Sequence, residues 1–152
     1  MGAREQDRLI AAGQTIVKEV RYTREDIVAF AKLSHDENPL HADTQAAQRA
    51  RFGEIIASGQ QTSAIMMGML ATHFSRGGDG VQREMLCLNM NFAFKAPVFA
   101  DQEIRLQWRV ANVEWKARLN GALAQLEGNA SVGTNHPALI ARGSILVKEV
   151  LA

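Results

Sequence analysis

The chain changes its hydrophobic period once. Before about residue 75 the apolar positions recur mainly at spacings of three and four, and after residue 82 they alternate. One stretch departs from the first pattern: Gln14 to Tyr22, with Ile16, Val17 and Val20 among polar residues, predicts a strand. Thr23-Arg24-Glu25-Asp26 has the form of a capping box, with Asp26 in place of the usual glutamate. Ile27, Phe30, Ala31 and Ser34 then share one helical face, and this helix delivers Asp36 at its C-terminal end. Asn38-Pro39 breaks the run. Proline disfavours helix at the residue before it and suits the first turn of a new one, with Asn38 as N-cap. A short helix is expected to continue through Ala42, Ala46, Ala47 and Ala50, until Phe52-Gly53 punctuates it. From Gly59 to about Phe74 a further helix has little polar face in its second half, where Ala64, Ile65, Met66, Met67, Met69 and Leu70 stand. A helix apolar nearly all round is buried, so it is expected to run through the centre of the fold.

The second half predicts four strands. Leu86, Leu88, Met90, Phe92 and Phe94 alternate with smaller or polar residues until Pro97, and Ile104, Leu106, Trp108 and Val110 do the same. Asn120-Gly121 is a hairpin-turn signal, Ala122 to Val132 returns as a strand, Asn135-His136-Pro137 turns again, and Leu139 to Val150 is the last strand. Helices followed by strands predict an α+β fold, an antiparallel sheet covering one buried helix. Residues 1–13 are expected to be a loosely held, partly helical end, and 14–152 a single domain.

Composition narrows the function classes. A chain of 152 residues with 47% apolar content suits one core, and a net charge of +1 argues against nucleic acid or a membrane surface as partner. No apolar run reaches the ~20 residues that span a bilayer. Arg4, Glu5, Asp7 and Arg8 do not read as a signal peptide, and the single Cys87 forms no internal disulfide; a cytoplasmic location is the expectation.

The candidate chemistry is concentrated in Ser34-His35-Asp36-Glu37-Asn38-Pro39-Leu40-His41. A carboxylate and an imidazole share proton-transfer work near neutral pH. On one unbroken helix, residues five apart face apart, but the Asn38-Pro39 kink can turn Asp36 and His41 toward one small volume that admits a water. His41 would then sit in the first helical turn, where the dipole favours a neutral ring. The plain alternative is that both are turn and cap residues. Against it, the segment holds more ionisable and amide groups than a cap needs. It also precedes Ser58-Gly59, which opens the buried helix. A helix N-terminus offers free N–H groups to a carbonyl oxygen that gains negative charge, and glycine permits close approach. His35, Asp36, His41 and Asp43 could also ligate a metal, but their spacing fits no zinc motif. Arg76, Lys95 and Lys116 are either contacts for a phosphate-bearing ligand or solvated surface.

Phe30-Ala31-x-Leu33-Ser34-x-Asp36-x-Asn38-Pro39-Leu40-His41 resembles the hydratase signature of the MaoC-like, (R)-specific enoyl-CoA hydratases. The resemblance runs on through Phe52, the Ile55–Gly59 turn, and Phe94-Lys95-Ala96-Pro97-Val98 with Asp101, covering roughly residues 14–150. It implies the hot-dog fold, a curved antiparallel sheet wrapped around one long central helix, pairing into homodimers or larger homo-oligomers. It implies reversible addition of water to a trans-2-enoyl-CoA, giving a (3R)-hydroxyacyl-CoA. Asp36 and His41 would activate the water, Asn38 would support the loop, and the Gly59 N–H would bind the thioester oxygen, with Ser58 and Gln60 beside it. No metal or cofactor is implied, since CoA belongs to the substrate. Two departures stand out: His35 occupies a position where the family often has glycine, and Ser58-Gly59-Gln60-Gln61 replaces the commoner His-Gly-Met-Leu. The rival readings are a thioesterase of the same fold and a non-catalytic acyl-CoA-binding subunit.

Overall fold

The computed structural model describes residues 3–133 and 136–151, so Asn135 of the expected last turn lies outside the described residues. Helix α1 (Ala3–Leu9) leads into β1 (Thr15–Arg21), α2 (Arg24–Leu33), α3 (Thr44–Arg49) and α4 (Gly59–His73). Four strands follow: β2 (Arg83–Phe94), β3 (Glu103–Lys116), β4 (Gly121–Val132) and β5 (His136–Glu149). They form one antiparallel sheet in the order β1-β3-β4-β5-β2, with β1 and β2 at its edges. The α+β expectation holds.

The sheet face toward α4 is built from alternate residues. Ile104, Leu106, Trp108 and Val110 of β3 are all buried on it, as their alternation predicts. On β4, Ala130, Gly128 and Leu126 stand opposite Leu106, Trp108 and Val110, with the buried Ala124 and Ala122 further along the strand, and the small residues among them leave room for the helix. At the centre Trp108 lies against Gly128, where an added Cβ would stand 2.5 Å from its ring and 2.9 Å from Met66. The Trp108 Nε1–H donates to the Met66 carbonyl of α4 at 2.8 Å, so the one polar atom of this buried ring is satisfied by the helix it packs on.

Two expectations about burial need correction. α4 is central but not enclosed: Gln60, Ala64, Met67, Gly68 and Ala71 lie exposed along one face. Its apolar residues cover the whole circumference, whereas the sheet covers one side. In β2 a bulge between Cys87 and Asn89 shifts the phase of the strand. Leu86, opposite Leu146, therefore faces away from α4, while Met90 and Phe92 face it; simple alternation had put all three together. Asn120 is in the left-handed region (φ 48°) after a turn of 3-10 helix at Ala117–Leu119, so the connection falls where Asn-Gly predicts but is longer than a two-residue turn. Packing also extends N-terminal of residue 14: Leu9 and Ile10 are buried in the core. The Arg83 guanidinium donates to the carbonyls of Leu9 and Arg8 and grips Asp79 at 2.6 and 2.9 Å. That pairing, helped by the Val81 N–H, holds the Asp79 carboxyl below the usual carboxylate range and orders the Gly77–Gly80 turn.

α2 starts and ends by side-chain and backbone logic that the site depends on. Thr23 and Asp26 form both bonds of the capping box, at 3.1 and 2.9 Å. At the other end the Asp36 N–H donates to Ala31 and the His35 N–H to Lys32, the paired bonds of a Schellman stop. The residue between helix and Asp36 must then be left-handed, and His35 is, at φ 58°. This is the position where the resembled family often carries glycine, which adopts that geometry without strain.

Trp108→Phe removes the indole donor and underfills its place; a loss of about 1–3 kcal/mol of unfolding free energy is expected from urea titration. At His35, substitution by glycine is expected to keep or raise the melting temperature. Substitution by valine, which tolerates left-handed backbone poorly, should cost about 1–2 kcal/mol.

Candidate active site

Asp36 emerges from the Schellman stop and its carboxylate is immediately shared. Oδ1 accepts the Asn38 N–H at 3.0 Å, while Oδ2 lies 3.3 Å from His41 Nε2. Asn38 caps a single 3-10 turn, Pro39–His41, its Oδ1 accepting the Leu40 N–H at 3.1 Å. Proline at the first position and the asparagine cap are as the sequence predicts. The continuous helix to Ala50 is not: Asp43 caps a separate α3 through the N–H groups of Gln45 and Ala46. His41 therefore ends one short turn instead of opening a long helix, and a helix dipole is not what orients it. The Ile56 carbonyl does so, 2.6 Å from Nδ1. A carbonyl only accepts, so Nδ1 carries the hydrogen and Nε2 is the atom free to exchange protons with Asp36 and a ligand. His41 is 5% exposed, and the Asp36 side chain 21%. The pair is thus largely shielded, with Asp36 as its open side.

The Ile56–Ser58 segment joins this pair to the N-terminus of α4. The Ile56 N–H donates to Leu40 at 3.3 Å and the Ala57 N–H to Val98 at 2.8 Å. Ile56, Ser58, Gly59 and Gln60 line a cavity of about 620 Å³, with Phe94, Pro97, Val98 and Leu139 among its apolar walls. Asp36 and His41 adjoin this cavity through Ile56 and are not part of its lining. Among the described residues, Arg51 and Lys95 are its only charged lining residues, and neither is paired with a carboxylate.

Each predicted site residue has a definite place. Asp36 and His41 are brought together. Asn38 spends its side-chain oxygen on the turn and acts by shaping the loop. Gly59 begins α4, and a Cβ there would lie 2.4 Å from the Phe94 ring, so its smallness serves packing against Phe94 as well as ligand approach. The sequence places Phe94 at a strand end and in the pattern shared with the resembled family. It is 57% exposed, and its ring stands over the helix start. Gln60 lines the cavity, whereas Gln61 is buried on the far side near Tyr22 and Phe30. Next to it the Thr62 and Tyr22 hydroxyls share a hydrogen bond at 2.9 Å, and burial raises the Tyr22 phenol above its ordinary range. The four groups considered for a metal do not converge: among the described residues no three His, Cys, Asp or Glu side chains are placed to hold one ion. The Ile56 carbonyl is a functional group that side-chain reading missed, because a backbone oxygen leaves no signal in residue identity.

Comparison with known proteins gives the family and the fold. The MaoC like domain family matches residues 8–128. A 3-hydroxybutyryl-CoA dehydratase of Methylorubrum extorquens is 27% identical over 139 residues, 91% of this chain and 80% of that protein. A mitochondrial 3-hydroxyacyl-(acyl-carrier-protein) dehydratase of Solanum lycopersicum is 26% identical over 96 residues, 63% of this chain and 53% of that protein. The chain spans about half the length of that relative and of a similar Arabidopsis thaliana protein. Among solved structures, the (R)-hydratase from A. caviae involved in PHA biosynthesis superposes with a TM-score of 0.76 at 24% identity, over 90% of this chain and 96% of that one. The fold is accordingly the hot dog, and the chain belongs to the MaoC-like domain family.

Proposed function

We propose that the protein is a hydro-lyase that adds water reversibly to a trans-2-enoyl thioester, giving the (3R)-hydroxyacyl product. The observation that carries this reading is the 3.3 Å Asp36–His41 pair, anchored through Ile56 beside the N-terminus of a 15-residue helix. The chemistry asks for both parts. Water oxygen bonds to C3, a proton reaches C2, and enolate charge develops on the thioester oxygen in between. The pair moves the protons, a contribution of about 10²–10⁴-fold. The free amides of α4 face the developing charge. The residues themselves supply these steps, and the reading assigns no metal or cofactor role.

An acyl thioester of phosphopantetheine fits the cavity: apolar walls for the arm and acyl group, and Arg51 and Lys95 for phosphate. Relatives named for acyl-CoA and for acyl-carrier-protein substrates share that chemistry, and CoA is the carrier we assign. A homodimer through β2 is part of the proposal. This edge strand exposes Leu86 and Leu88, whereas the other edge, β1, carries ion pairs from Glu19 and Arg21 to β3. Among the described residues no helix is long and apolar enough to cross a membrane. We assign a cytoplasmic location on the unpaired, exposed Cys87.

Asp36→Asn and His41→Ala should each lower kcat for crotonyl-CoA hydration at least about 100-fold with the circular-dichroism spectrum unchanged. Near-full turnover in both would remove the pair from the mechanism. Arg51→Gln combined with Lys95→Gln should raise KM for crotonyl-CoA by about threefold to tenfold with kcat little changed. The same variant should treat the phosphate-free crotonyl N-acetylcysteamine thioester like wild type.

A further inference from the structure

Ser58 holds a hydroxyl that has no hydrogen-bond partner among the described residues. It stands at the N-cap of α4 with extended backbone, φ −65° and ψ 146°. From that conformation a serine oxygen ordinarily accepts an N–H of the first helical turn. Thr23, Asn38 and Asp43 each make that bond at their own helices, and Ser58 makes none. It is 4% exposed, so solvent does not substitute, and its Oγ has no hydrogen-bond partner. A buried hydroxyl left unpaired is destabilising, and alanine would fill the same space without that penalty. Ser58 nevertheless lines the cavity beside Gly59, whose N–H, like that of Gln60, has no backbone acceptor among the described residues. Residues 58–60 therefore bring three donors to the same end of the cavity: two amides without a backbone acceptor, and one hydroxyl without a partner.

We propose that the Ser58 hydroxyl is a second hydrogen-bond donor to the thioester carbonyl oxygen, acting with the Gly59 N–H; this role rests on the hydratase reading above. As the water oxygen bonds to C3, the alkene electron pair shifts toward C2 and C1, and negative charge gathers on the thioester oxygen. The Asp36–His41 pair takes the proton that the attacking water loses; when C2 is protonated, the electron pair becomes the new C2–H bond and the thioester C=O is restored. Ser58 keeps its proton throughout. Its contribution is a donor that strengthens with the charge, shielded from competing water. Because a serine hydroxyl normally caps the helix, the same residue in a purely structural role would be engaged already, and here it is not.

The test is Ser58→Ala, assayed for crotonyl-CoA hydration and for thermal unfolding. The expected result is a fall in kcat of about 100-fold, a KM within about threefold of wild type, and an unchanged or higher melting temperature. Ser58→Cys, which keeps a weak donor, should fall between alanine and wild type. A kcat for Ser58→Ala within about threefold of wild type, or a melting temperature that drops along with kcat, would overturn the role, the second outcome marking Ser58 as a structural cap. Absence of hydration in the wild-type protein would overturn the hydratase reading and this role together. An active wild type beside an unaffected variant would overturn Ser58 alone.

Discussion

The contact between Trp108 and the middle of α4 sets the position of everything else. An indole buried against Gly128 can lie flat on the sheet only because that residue has no Cβ. Its Nε1–H then reaches the Met66 carbonyl and fixes the depth and rotation of the helix. A helix held in this way cannot slide or turn without burying an unsatisfied indole donor. The N-terminus of α4 is thereby aimed at one place, the end of the cavity where Ser58 and Gly59 lie.

The Ile56–Ser58 stretch converts that placement into a site. It is short and extended, and bonded on both sides: to the loop before β3 through Ala57 and Val98, and to the Asp36–His41 loop through Ile56. The carbonyl of Ile56 fixes which ring nitrogen of His41 is free. Two residues later the chain enters α4 and presents its unpaired amides. The proposed acid–base pair and the proposed anion-stabilising end are thus held on one strip of backbone. Such placement is what a charge-developing reaction needs, since donors already in place do not have to reorganise as the charge appears.

Much of this was legible in the residues. Thr23 and Asp26 announced the start of α2, Asn38-Pro39 the kink, and the alternation from Ile104 to Val110 the buried face of β3. Each is a local rule, decided within a few residues. What was not legible depends on distant partners. The bulge in β2 that turns Leu86 outward is set by its pairing with β5. The open face of α4 follows from how far five strands can wrap, which its all-round apolar pattern does not reveal. His35 and Asp43 fall between. The left-handed stop at His35 has a trace in the departure from glycine, and the Asp43 cap is a local signal that competes with the alanine periodicity around it.

The central claim is that the Asp36–His41 pair adds water to an alkene and does not cleave a thioester. The direct measurement is the conjugated-thioester absorbance of crotonyl-CoA with purified protein, beside a parallel reaction containing a thiol reagent. The predicted result is loss of absorbance without thiol release, with chiral chromatography giving the (3R)-hydroxy product. Release of free CoA in step with the absorbance change would contradict the account and make the protein a thioesterase of the same fold.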